Sequence, residues 1–126
     1  MVEPILIALG VCVAVLILIA VVRDERAWAR ADRRADLLVR ELLTHDELEQ
    51  LDGRGFLEVP SRLVPGRSYR VPAWPGRITI VENGRTLAWL CLQPVENVPA
   101  RELILLHKLM LEGSEEEYCR TANRTP

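Results

Sequence analysis

No two of the three cysteines in this sequence stand near each other. Cys12, Cys91 and Cys119 form no C-x-x-C pair and no cysteine–histidine spacing, which argues against a metal site or a redox motif. Histidine occurs only as His45 and His107. There is no serine elbow, no P-loop, no dinucleotide fingerprint and no carboxylate pair in a recognisable cleft. No catalytic, cofactor-binding or metal-binding residue is assigned, and the chain reads as a non-enzyme. The alternative is a nucleophilic pair of Cys91 and His107, on two segments expected to be core. Aromatic residues are 5% of the chain and the formal charge is −2. Tyr69-Arg70 and Trp74 are the only aromatics interleaved with basic groups in the sheet region, so no nucleic-acid partner is expected.

What the sequence does have is one long apolar run. Ile5 to Val22 is 18 residues without a charge or a proline. As a helix it spans roughly 27 Å, close to the ~30 Å hydrocarbon thickness of a bilayer. A cleaved signal peptide fits less well. Met1-Val2-Glu3-Pro4 has no basic residue and no A-x-A-like site follows the run. Leu9-Gly10-Val11-Cys12 is only faintly like a lipoprotein box. Residues 5–22 are therefore expected to be a transmembrane helix, after a short extracytoplasmic stretch at 1–4. Six arginines crowd residues 23–40 (Arg23, Arg26, Arg30, Arg33, Arg34 and Arg40). By the positive-inside rule the domain that follows is cytoplasmic and the N-terminus outside. The expected location is the inner (plasma) membrane, with the lipid bilayer as one partner.

Residues 23–43 read as a stalk helix continuing the span, with a broken apolar stripe of Ala27, Ala31, Leu38 and Leu42. Thr44-His45-Asp46-Glu47 is a capping box opening a short helix that Gly53 or Gly55 would end. From Phe56 the period changes to strands at 56–60, 68–73, 77–82 and 86–92. Pro65-Gly66 and Pro75-Gly76 suit type II turns and Asn83-Gly84 a type I′ hairpin, so the glycines are expected at positive φ. Leu103, Leu106, Leu109 and Met110 make an amphipathic face on the next helix, with His107 at its polar boundary. Ser114 and Glu117 form a second capping box, and residues 124–126 should fray. The expected fold is α+β: a single transmembrane helix and stalk, then a domain at 44–123 with a four-stranded antiparallel meander packed by a C-terminal helix. A more tightly curled, barrel-like sheet is the alternative.

Gly55-Phe56-Leu57-Glu58-Val59-Pro60, Tyr69-Arg70-Val71-Pro72, Leu90-Cys91-Leu92-Gln93-Pro94 and His107-Lys108-Leu109-Met110-Leu111-Glu112 together resemble a pattern in short uncharacterised bacterial proteins. The resemblance covers residues 40–123. That family has no assigned activity, so the resemblance implies no mechanism and no site residues.

Two functional expectations follow. The first is an accessory or scaffold subunit of a larger membrane complex, with integral membrane proteins as partners. Gly10 and Ala14 would let another helix approach the span closely. The strand at 86–92, apolar on both faces, would offer Leu87 and Trp89. A homodimer through the span stays open. The second is a tethered regulatory domain that binds an anionic ligand or lipid headgroups through an arginine rim of Arg62, Arg67 and Arg85.

Overall fold

The computed structural model describes all 126 residues, Met1–Pro126. Helix α1 runs unbroken from Val2 to Leu42, about 60 Å at the α-helical rise. Its apolar part is long and hydrophobic enough to cross a membrane, and none of it is buried within the chain. The other end of the same helix belongs to the domain core. Ala35, Val39 and Leu43 are almost fully buried, and α1 packs against α3 (Ala100–Gly113). The expected stripe is thus corrected by one position. Leu38 and Leu42 are exposed, and the packed face is Ala31, Ala35, Val39 and Leu43. A strict spacing of four keeps these on one line, and the small Ala35 lets α3 come close.

Thr44 caps α2 (His45–Arg54) in the expected way. Its Oγ1 accepts from the Glu47 amide at 3.3 Å, and the Glu47 carboxylate accepts from the Thr44 amide at 2.9 Å. Gly55 ends the helix at φ 77°. Two basic residues on α3 tie the helices together. Arg101 reaches Asp36 of α1 at 3.9 Å and Asp52 of α2 at 3.6 Å, and Lys108 reaches Glu47 at 3.6 Å.

The sheet is antiparallel and has five strands rather than four, in chain order: β1 (Phe56–Pro60), β2 (Arg67–Pro72), β3 (Ile78–Glu82), β4 (Arg85–Cys91) and β5 (Asn123–Thr125). The inward residues Leu57, Val59, Tyr69, Val71, Ile78, Ile80, Ala88 and Leu90 form one core with residues of all four helices. Helix α4 (Glu115–Thr121) supplies Tyr118. Two expectations about the chain end need correction. Residues 124–126 do not simply fray, because Arg124 and Thr125 pair with Leu90 and Trp89. The apolar edge that β4 would otherwise expose is partly covered by the chain's own tail, which manages a common hazard of sheet edges. Ser114 makes no side-chain cap, so the second capping box is not formed.

The turns match their sequences at two of three places. Gly66 sits at φ 77°, with the Arg67 amide donating to the Val64 carbonyl at 3.2 Å; Asn83 and Gly84 sit at φ 50° and 80°. Gly76 is not at positive φ, so Pro75-Gly76 is not the expected type II turn. The two positions predict opposite outcomes. A methyl group at Gly66 would be strained by φ and would collide with the Asn83 side-chain oxygen. Gly66→Ala should cost about 2–3 kcal/mol. At Gly76 a Cβ would meet Pro72 at 3.7 Å, an ordinary contact, and Gly76→Ala should change stability by less than about 0.5 kcal/mol. Thermal unfolding of both variants checks this.

Helix α3 shows why a stripe read from leucines alone misleads. The buried residues are Ile104, Leu105, His107 and Leu111, whereas Leu106 and Leu109 are exposed. The helix is covered on one side by the sheet and on another by α1, so its buried arc is broad and shifted. His107 is not a boundary residue; it is 3% exposed.

Candidate functional site

Gly10 and Ala14 lie four residues apart on α1, hence on one face. Both are exposed, and a Cβ built on Gly10 meets nothing within 4 Å. That face is bare within the chain.

The way the domain hangs on α1 sets which of its ends faces the apolar segment. Asp24, Ala27, Trp28 and Ala31 of α1 line a shallow cleft of about 240 Å³ with Asn97 and Pro99. The loop before α3, the β2–β3 turn and the N-terminus of β1 therefore share the near end of the sheet. The β1–β2 and β3–β4 turns are at the far end. Arg62, Arg67 and Arg85 are all at this far end. Acids stand among them. Arg67 pairs with Glu82 at 3.3 Å, and Arg85 is the cross-strand neighbour of that same glutamate. Arg62 borders a depression that also contains Glu112, Glu115 and Glu116. The acids interleaved here weaken any field for an anion.

Leu87 and Trp89 are set apart by an irregularity in β4. Ile80 pairs with Ala88 and Val81 with Thr86, which leaves Leu87 as the extra residue of a bulge. Leu87 is 41% exposed. Trp89 is half-buried; the Arg77 guanidinium lies 5.7 Å from its ring centre and β5 runs alongside.

The residues that sequence reasoning misplaced matter as much. Leu38 and Leu42 on α1, and Leu106 and Leu109 on α3, have the spacing of core residues, yet they lie on the surface. Apolar side chains that a small domain leaves outside its own core are candidates for contact with a second protein.

The best-built polar cluster surrounds Glu115, at the start of α4. Its carboxylate accepts from the Tyr69 hydroxyl at 2.7 Å, the Arg62 amide at 2.8 Å, the Leu63 amide at 3.3 Å and the Ser61 hydroxyl. Burial by itself would raise the Glu115 pKa, but these hydrogen bonds outweigh it and hold the carboxyl below its ordinary value. Tyr69 also contacts the Cys119 sulfur at 3.4 Å. Burial and these neighbours push the Tyr69 phenol well up. The cluster closes the β1–β2 turn onto α4. Nothing in local sequence marks it, since its members are about fifty residues apart.

A second buried pair joins the two C-terminal helices: Tyr118 Oη and His107 Nδ1 are 2.7 Å apart. Burial lowers the His107 pKa and raises that of Tyr118. His107 is thus engaged with a phenol, not with Cys91. No group of three or more His, Cys, Asp or Glu side chains is placed to hold a metal ion.

The chain matches no family model, no curated protein and no solved structure.

His107 gives a pH prediction. Its folded pKa lies below the ordinary 6.5, so the unfolded chain takes up the proton first. Stability is complete above about pH 6.5 and declines as pH falls below it. His107→Gln keeps an acceptor for Tyr118 and should flatten the decline between pH 7 and 5 in chemical denaturation.

Proposed function

We propose that this protein is a non-enzymatic, single-pass accessory or scaffold subunit of a larger membrane protein complex. The carrying observation is that one continuous helix serves two roles. Its first part is apolar and wholly exposed within the chain, and its last turns are domain core. A helix without a break makes the domain move with the span, as a scaffold requires.

The supporting features are surfaces rather than a reactive centre. Gly10 and Ala14 provide a small-residue face for a neighbouring helix. Leu38, Leu42, Leu106 and Leu109 are apolar groups left outside the core. The arginines after Val22 favour a cytoplasmic domain, with the N-terminus outside, in the inner (plasma) membrane. The arginine rim is the weaker reading. Its members are shared with Glu82 and bordered by other acids.

The test is site-specific photo-crosslinking in native membranes. A photoreactive residue at Ala14 should crosslink to a second integral membrane protein. The same residue at Leu16, on the opposite helical face, should crosslink mainly to lipid. Equal lipid labelling from both positions, with no protein adduct, would remove the span-docking part of the proposal.

A further inference from the structure

Beyond the apolar segment, the two most exposed large hydrophobic residues of the chain are Val95 and Trp74, at 105% and 76% exposure. They lie on different loops: Trp74 in the β2–β3 turn and Val95 in the loop between β4 and α3. Both loops leave the sheet at the same end, because Ile78, opening β3, pairs with Leu90, near the end of β4. This is the end that faces the apolar segment of α1.

The height of that end above the segment can be read along α1. Asn97 and Pro99 share a cleft with Asp24, Ala27, Trp28 and Ala31. These residues are two to nine positions past Val22, or roughly 3 to 14 Å along the helix axis. A bilayer's headgroup layer extends about 5–8 Å beyond the hydrocarbon on each side. If α1 spans to Val22, the membrane side of the cleft bordered by Asn97 and Pro99 is at headgroup level.

The chemistry of this end suits that layer. Tryptophan prefers the membrane interface, where its ring is half in apolar surroundings and its N–H remains wet. Arg23, Arg26 and Arg30 of α1, with Arg54 at the end of α2 and Arg77 beside Trp74, lie at the same end and are exposed. Asp24, Glu25, Asp52, Glu96 and Glu102 oppose them in part. The far end of the sheet faces away from the lipid.

We infer that the domain sits on the leaflet from which α1 emerges, with Trp74 and Val95 entering the headgroup layer of anionic lipid and the nearby arginines contacting lipid phosphates. The domain then has a fixed attitude, with the Glu115 end pointing away from the membrane. This rests on the span assigned above, but not on any partner protein.

The test uses the full chain, reconstituted alone into phosphatidylcholine–phosphatidylglycerol vesicles. Trp28→Phe and Trp89→Phe leave Trp74 as the single fluorophore. Span insertion is read separately, by flotation of the vesicles after an alkaline wash. With the span inserted, lipids brominated high on the acyl chain should quench most of the Trp74 emission. Replacing phosphatidylglycerol with phosphatidylcholine should weaken that quenching. A nitroxide on Val95→Cys, in a Cys12, Cys91 and Cys119 to serine background, should show the same depth. Trp74 and position 95 both open to water while the span floats would overturn the seating and leave the span reading intact. Loss of flotation would overturn both. Trp74 emission that stays unquenched by brominated lipid but shifts to the blue when a co-purified membrane protein is added would assign this end to protein, and would also overturn the inference.

Discussion

Glu115→Ala should unfold the domain about 10–15 °C below wild type, from an expected loss of about 2–3 kcal/mol. The reason is the number of groups left behind. The carboxylate accepts from two backbone amides and two hydroxyls; Glu115 is 8% and its donor Tyr69 1% exposed, while Ser61, Arg62 and Leu63 lie on a partly open turn. Removing the acceptor strands the buried Tyr69 hydroxyl, and a stranded donor costs more than a made hydrogen bond returns; the donors of the turn can bond to water. Thermal unfolding followed by circular dichroism checks the size. A control at Glu116, exposed on the same turn, should shift little.

The same carboxylate adds an acid step to the pH profile. Its folded pKa is below the ordinary 4.5, so the folded state holds the ionised form more firmly than the unfolded one. Its stabilisation is complete above pH 4.5 and is lost as pH falls through the depressed folded value. Wild type should therefore weaken in two stages, first from His107 below about pH 6.5 and then from Glu115 below 4.5. Glu115→Ala should remove the second stage and keep the first.

The second large effect is expected on α1. Val39→Asp should cost at least about 4 kcal/mol, because it buries a charge where the helix meets the core. For a domain with a total stability of roughly 5–15 kcal/mol, that approaches collapse. Leu38→Asp, one residue earlier, should change stability by less than about 0.5 kcal/mol. Val39 is 0% exposed and Leu38 is 42% exposed. Limited proteolysis of the two variants in detergent separates these outcomes. If both were tolerated, α1 would be a free stalk and the coupling of span to domain would be lost.

These two sites also show which kinds of information the chain displays locally. Turn chemistry and capping act over four residues. Hence Thr44 with Glu47, Gly55, Gly66 and Asn83-Gly84 could be read at once, and the four meander strands fell near their expected bounds. Pro75-Gly76 failed because a proline–glycine pair permits a type II turn without requiring it. Helix faces failed by one residue, at Leu38 against Val39 and at Leu106 against Leu105. In each, the packed face depends on where the neighbouring element lies, which no local period contains. β5 was invisible because three exposed residues, Asn123–Thr125, have no alternating pattern of their own and become a strand only beside β4. Glu115 and its partners meet only when the sheet and α4 have formed. Counting turns puts Arg62, Arg67 and Arg85 at one end of the sheet, and the acids among them are Glu82 and those of the distant α3–α4 junction.

A fixed part of a larger membrane assembly, as proposed for this chain, should leave the membrane with its neighbours. The most direct measurement is capture of the full-length protein, tagged at its C-terminus, from native membranes in a mild detergent, with the amount of each accompanying protein quantified. A stable set of integral membrane proteins should be recovered at near-equal amounts. Recovery of the protein alone, folded and monomeric, would contradict that proposal.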